Sequence, residues 1–528
     1  KEPGARWTNL CECHELYCAG HLIEAAVAYY RATGKSKLLD VACKFADHID
    51  SVFGPEPEKL KGYDGHQEIE LALVKLYHVT NNAKYLRLSR FFLDERGQTP
   101  HFFLEEWKKR GRTVHFPDLT MIHDHAYNQS HLPVRQQEQA VGHAVRLVYM
   151  GAGMADVAAE TGDAALLEAS RKLWRNIVSR RMYITGGIGS QSYGESFTFD
   201  YDLPNDTAYS ESCAAIGLIF FAQRMLCIEP KSEYADVMER ALYNTVLSGI
   251  SLDGKRFFYV NPLEVYPNAI GKNAIYNHVK PERQGWFGCA CCPPNIVRLL
   301  ASLGQYVYST KGDTIYCHLY IGGQTEWNFG NATIRLRQNS DYTWNGKSRF
   351  VFTMDRPADY TLALRIPDWT NQAEIWVNGA PYELSAKNLA DGYALVKRTW
   401  QPGDTVDVAF SMPVLRMKGH PHIRQTAGKT ALQRGPFVYC MEEADNGENL
   451  HRIILPPDGE VRAAFDKELL GGVQVLTAQG KRFEADGQWR EKLYRSDAAE
   501  KTVPVKIKLI PYFAWANRGV GEMRVWIS

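Results

Sequence analysis

Three cysteines in four residues, Cys289, Cys291 and Cys292, stand just before Pro293-Pro294-Asn295. A thiol run this dense makes a metal site, a redox site or a disulfide knot. Proline is accepted in the first turn of a helix, where its missing N–H would be unpaired anyway. Residues 295–309 follow with Ile296, Leu299, Leu300, Leu303 and Val307 on one stripe, which predicts a helix. The thiols then lie before a helix N-terminus, where the dipole favours thiolate. A closed tetrahedral zinc site needs further ligands. Glu211-Ser212-Cys213, at the start of another predicted helix, offers the best pair. Glu with Cys is an unusual zinc set, so a zinc that only pins a loop stands beside a catalytic one. Cys11, Cys13 and Cys18 form a second cluster, expected on a helix as inert buried thiols.

Histidines are the second resource. His14 and His21 are seven apart, two turns along one helix face, and Gly20-His21, Gly65-His66 and Gly142-His143 recur near the openings of successive helices. In a ring of hairpins such positions converge on a cavity, and polar groups among Tyr and Trp suit a sugar. The stretch from Gly186 to Glu195 is glycine-rich, but it follows a helix instead of opening one after a strand, so a phosphate reading is weak. It presents Glu195, which beside a thiolate site and a histidine-lined cavity is a candidate general acid.

The elements that must position these residues fall into two regimes. Long amphipathic segments pair across turns at 32–35, 80–82, 161–163 and 229–231. Repeated helical hairpins predict an (α/α) toroid better than an open solenoid, whose packing would not need loops as long as 97–139 and 186–208. From about Gly312 onward, short β-branched and aromatic runs alternate with Gly, Asn, Asp and Pro, and Asn378-Gly379 marks a hairpin. Strands without intervening helices read as β-sandwiches, with a softer break near His420. The expected class is α+β multidomain: a helical barrel over 1–308, a β-sandwich over 309–415 and a second β-rich unit over 416–528.

Composition narrows the function. The 528 residues carry a net charge of +1, with 45% hydrophobic and 23% charged residues. That balance supports neither nucleic acid nor a membrane surface as partner, and no apolar run is long enough to span a bilayer. Eleven cysteines at irregular spacing argue against a disulfide framework and for a reducing, cytoplasmic setting. The first residues read as the interior of a longer chain, so a signal peptide is not judged from them.

The segments His14-Glu-Leu-Tyr-Cys-Ala-Gly-His21, Ala140-Val-Gly-His-Ala-Val-Arg146, Glu211-Ser-Cys213 and Cys289-Ala-Cys-Cys-Pro-Pro-Asn295 together resemble glycoside hydrolase family 127, the β-L-arabinofuranosidase family. The ending from Ile510 to Gly519 is similar too. The resemblance implies an (α/α)6 barrel, expected here without its first helices, followed by β-sandwich domains. It implies zinc held by Glu211, Cys213, Cys291 and Cys292, with Cys291 also the nucleophile of a retaining mechanism and Glu195 the general acid/base. His14, His66, His143 and Tyr259 match positions that hydrogen-bond the sugar; His21 lies nearby. The expected substrate is a small oligosaccharide or glycoside, and a homodimer is left possible. Two other classes fit the pattern: a toroidal epimerase or polysaccharide lyase with histidine bases and a structural zinc, and a non-catalytic carbohydrate-binding protein.

Overall fold

The structure, a computed structural model, describes residues 3–116, 122–329, 331–485, 487–489, 491–496 and 501–528. Two compact units divide the chain. One comprises Lys1–Met182, Ile188–Asp200 and Phe220–Ile228; the other comprises Tyr183–Gly187, Tyr201–Ile219 and Glu229–Ser528.

The first unit is helical. Its hairpins are α1 (Glu15–Thr33) with α2 (Lys37–Val52), α3 (Ile69–Thr80) with α4 (Ala83–Glu95) and, after the short α5 (Phe102–Lys109), α6 (Ala144–Thr161) with α7 (Ala164–Asn176). One device closes each turn. A left-handed residue, Gly34, Asn81 or Gly162, ends the first helix. In two of them the very next residue caps the second helix. The Asn82 side chain accepts from the Lys84 amide at 3.1 Å, and that of Asp163 from the Leu166 amide at 3.0 Å. Such caps contribute about 1 kcal/mol each. Leu16, Ile23, Val27, Ile69, Leu73 and Leu76 face one apolar core, and α1 packs on α3 and α3 on α6. The openings of α1, α3 and α6 therefore lie side by side.

Polar groups fix the loops that lead into those openings. Buried Arg96 donates to the carbonyls of Asp64 and Asn128, each at 2.8 Å. Glu106 accepts from the amides of Leu10 at 2.6 Å and Cys11 at 3.2 Å. Those two bonds hold residues 10–13 out of helical conformation, so α1 starts only at Glu15. Cys11 and Cys13 thus precede the helix instead of riding on it, and Cys18, on α1, is exposed. Only Cys11 fits the inert buried thiol expected of all three.

Helix α8 (Ser212–Ile228) follows, and then, within the second unit, come α9 (Ser232–Ala241) and α10 (Cys292–Ser302). The helix expected over 295–309 begins earlier and ends sooner. Pro293 and Pro294 fit its first turn, and a strand opens at Tyr308. Beyond it the unit is sheet. A five-stranded sheet (Tyr308–Lys311, Thr314–Cys317, Ala358–Arg365, Leu389–Ala390, Tyr393–Trp400) and a six-stranded one share an apolar core built on Leu362, Trp400, Leu336, Phe350 and Phe352. The six-stranded sheet runs in the spatial order Gly323–Phe329, Ala332–Asp341, Lys347–Met354, Thr405–Phe410, Ala373–Val377, Ala380–Pro381. Asn378 and Gly379, both at positive φ, join its last two strands in the expected two-residue hairpin. A nine-stranded sheet takes in the remaining described strands, Glu264–Val265 and those from Val414–Met417 to Met523–Arg524. Among the described residues no helix is long and apolar enough to cross a membrane.

Candidate active site: a thiol–carboxylate cluster and a histidine–carboxylate cluster

In the second unit the sequence folds two helix starts against one extended segment. Ser210, at φ 42°, turns the chain into α8. The Asn261 amide side chain donates to the Ser210 carbonyl and the Ser212 hydroxyl, both at 3.0 Å, and the Ser212 hydroxyl donates to the Phe258 carbonyl at 2.9 Å. The Ser212 amide donates to the Tyr259 carbonyl at 3.0 Å. These bonds fix Glu211 and Tyr259 together. Cys291 is the N-cap of α10 and Cys292 its first residue. Gly249 leaves no room for a side chain: a Cβ there would stand 2.8 Å from the Ser212 hydroxyl and 2.9 Å from Ile296 on α10.

The result is a tight set of donors. Glu211, Cys213, Cys291 and Cys292 each place a ligand atom within 4.8 Å of the others. The Cys213 and Cys292 sulfurs are 3.5 Å apart, and Glu211 Oε1 lies 3.4 Å from the Cys291 sulfur and 3.7 Å from that of Cys292. The Tyr259 hydroxyl is 3.3 Å from the Cys291 sulfur, placed to accept from a thiol or donate to a thiolate. Cys289, the third cysteine of the run, is exposed and lies outside this set. Burial pushes the Cys213 and Cys292 thiols well up, and the neighbouring Cys213 sulfur, first among several groups, does the same to Cys291. Three sulfurs and a carboxylate crowded away from water resist ionising together unless a cation joins them. The donor set therefore fits a thiophilic metal ion.

In the first unit the histidines gather. His14 is the N-cap of α1, His66 precedes α3, and His143 is the N-cap of α6. The His14 and His66 rings are 5.6 Å apart, and those of His66 and His143 5.4 Å. His21 stands two turns deeper in α1 and pairs instead with Glu68 at 3.4 Å. The three Gly-His pairs are thus not equivalent: the counterpart of His143 in α1 is His14, not His21.

His143 has an assigned tautomer. Its Nδ1 accepts from the helix amides of Val145 at 3.2 Å and Arg146 at 3.4 Å, so the proton sits on Nε2. That N–H donates to Glu195 Oε2 at 2.7 Å. His66 is oriented by its Nδ1–H, 2.9 Å from the Gln67 carbonyl. Burial first, then the Arg146 cation, holds His66 far below the ordinary imidazole range. Burial lowers His143 as well, against the pull of Glu195. Both rings are therefore neutral at pH 7.

Glu195 rides on a pinned hairpin. The Ser196 amide donates to the Gln191 carbonyl at 3.2 Å, and the Phe197 amide to the Gly142 carbonyl at 2.9 Å. Gly194 and Glu195 both have positive φ, 65° and 53°. Glycine is required at 142, where φ is 70° and a Cβ would stand 2.1 Å from the Ala126 carbonyl oxygen. The long-loop expectation for 97–139 falls partly on residues 117–121, outside the described residues.

All nine expected site residues thus sit in two clusters: His14, His66, His143 and Glu195 in one unit, Glu211, Cys213, Tyr259, Cys291 and Cys292 in the other. Sequence reading passed over Tyr17, whose ring is 4.4 Å from that of His66, and Arg146, buried 4.5 Å from the Tyr127 ring and donating to the Gly65 carbonyl at 2.9 Å. Both lie three residues after a site histidine, on the same helix face, and that spacing was the available signal.

Comparison with known proteins gives the family. Three models of one family match in succession: the beta-L-arabinofuranosidase GH127 catalytic domain over residues 1–305, the GH127 middle domain over 314–412 and the glycoside hydrolase family 127 C-terminal domain over 414–528. A non-reducing end beta-L-arabinofuranosidase from Bifidobacterium longum subsp. longum is 42% identical over 99% of this chain and 79% of its own. The crystal structure of a GH127 beta-L-arabinofuranosidase from Geobacillus stearothermophilus T6 is 52% identical, with a TM-score of 0.96 over 100% of this chain and 82% of that one. A second solved GH127 beta-arabinofuranosidase is 40% identical, with a TM-score of 0.86 over 100% and 79% of the two chains. A helical unit that carries a histidine–glutamate cluster, a sheet-rich unit that carries a thiol cluster, and matches along nearly the whole length lead to one statement: the chain belongs to glycoside hydrolase family 127.

Proposed function

We propose that this glycoside hydrolase is an exo-acting β-L-arabinofuranosidase that releases L-arabinose with retention of configuration. The observation that carries the reading is the convergence of Glu211, Cys213, Cys291 and Cys292 within 4.8 Å in a chain of this family. The characterised relative is named for that activity. Zinc is the metal the donor set suits, and when bound it would keep the sulfurs ionised at neutral pH and moderate their reactivity.

Retaining glycosidases normally use two carboxyl groups. Here a thiolate takes the nucleophile's place. Cys291 attacks the anomeric carbon and forms a thioglycosyl bond as the aglycone oxygen leaves. Glu195 gives that oxygen its proton. His143 Nε2–H bonds Oε2 of Glu195, so the transferred proton is assigned to Oε1. In the second half Glu195 takes a proton from water, and the oxygen of that water displaces the Cys291 sulfur. His14, His66, His143 and Tyr259 bind the sugar hydroxyls; neutral imidazoles can donate and accept, which a hydroxyl requires.

The same reading takes the helical hairpins as part of an (α/α)6 barrel over 1–308 and the sheets as β-sandwich domains over 309–415 and 416–528. The test is a panel of aryl and alkyl glycosides of β-L-arabinofuranose, α-L-arabinofuranose and related pentoses, with metal content measured on the same sample. Release of arabinose from the β-L-arabinofuranosides alone supports the reading; cleavage confined to another sugar overturns it.

A further inference from the structure

The outward face of the six-stranded sheet carries a second feature with the chemistry of sugar recognition. Side chains alternate across this sheet: along Lys347–Met354 every second residue is buried in the core. Strand pairing lines up Asn339, Arg349, Asp407 and Trp376 in one row across four strands. The next row is Asp341, Lys347, Ala409 and Glu374. Ala409 is small, so a recess of about 480 Å³ opens over it, lined by Trp376, Lys347, Arg349 and Asn339 among others. That volume falls within the range of small-molecule sites, ~300–1,000 Å³.

The Trp376 indole is half-buried on the outward face of its strand, and among the described residues no ring stacks on it. Beside it, Arg349 and Asp407 face each other at 3.6 Å with both side chains open to solvent. An aromatic plane offers a surface to the C–H face of a sugar ring, and the flanking Asn, Arg and Asp supply donors and acceptors at the ring's edge. Positive and negative groups balance across the recess, which favours a neutral sugar over an acidic one.

We propose that this face is a non-catalytic binding site for a neutral glycan, where Trp376 stacks on one sugar residue and holds the polymer whose terminal sugars the enzyme removes. Affinity electrophoresis through gels containing a soluble glycan that carries β-L-arabinofuranosyl ends tests it. The wild-type chain is expected to be retarded. Trp376→Ala should bind about five-fold more weakly or worse, the scale of one lost aromatic face, and Trp376→Phe should recover part of the retardation. Hydrolysis of a small aryl glycoside should be unchanged in both variants. Retardation requires no turnover, so this result stands apart from whether the arabinofuranosidase reading holds. Absence of retardation in the wild type, or equal retardation of Trp376→Ala, overturns the proposal. So does a change from dimer to monomer on sedimentation of Trp376→Ala, which would make the face a contact between copies of this chain.

Discussion

At the start of α10 three sulfurs and a carboxylate crowd within 4.8 Å of one another. At the start of α6 an imidazole N–H meets a carboxylate at 2.7 Å. Both clusters use helix N-termini, but they use them for opposite ends. Around Cys291 the helix start favours anions, but burial keeps the sulfurs from ionising together without a cation. Around His143 the helix amides occupy Nδ1, so the ring stays neutral and aims its remaining proton at Glu195. One cluster offers donors that a cation could join; the other is hydrogen-bonded as it stands. Helix starts can thus either demand a ligand or settle a tautomer, depending on the side chain placed there.

The sharpest test of the contrast is Cys291→Ser. Turnover should fall at least about a thousand-fold while circular dichroism stays native; near wild-type kcat would remove Cys291 from the nucleophile's role. Metal removal should divide the clusters next. A thiol-competent chelator should abolish activity and lower stability by about 3 kcal/mol, the order expected when a tightly held ligand is lost. Added Zn²⁺ should restore both, read by calorimetry alongside metal analysis. An unchanged melting temperature after verified metal loss would show that the thiol cluster stands unaided.

Glu195→Gln probes the other cluster. The loss should reach about 10²–10⁴-fold on alkyl glycosides and be much smaller on aryl glycosides with good leaving groups. Equal losses on both would count against the acid role. The smallest effect separates capping from orientation at His143. His143→Ala should cost about 1 kcal/mol of stability through the lost cap, and His143→Asn, whose side chain can still accept from the helix amides, should recover most of it. Neither should restore the full rate, because neither returns the N–H to Glu195. Full activity in His143→Asn would mean that Glu195 needs no such partner.

What was legible beforehand follows the range of the interactions. The hairpin turns at Gly34, Asn81 and Gly162 are local events, written in turn residues between amphipathic runs, and all three form. The thiol cluster was legible because its donors are chemically rare and two lie next to each other. The phase of the histidines was not. Gly20-His21 and Gly142-His143 look alike, but Glu106, some ninety residues away in sequence, pins Leu10 and Cys11 and so sets where α1 begins. The contact of Tyr259 with Cys291 depends on the pairing of 258–261 with the start of α8, which no local pattern announces.

The backbone at Glu195 carries one more consequence. A left-handed conformation suits glycine or asparagine, and a glutamate held there costs about 1 kcal/mol. The position to which the proposed mechanism assigns the proton-transferring carboxylate is thus one where the backbone favours a different residue. With Glu195 in its proposed role of general acid, selection for heat resistance alone would be drawn to replace it at the expense of turnover. On that proposal selection on turnover keeps the glutamate, and position 195 is where durability and catalysis would pull apart in this chain.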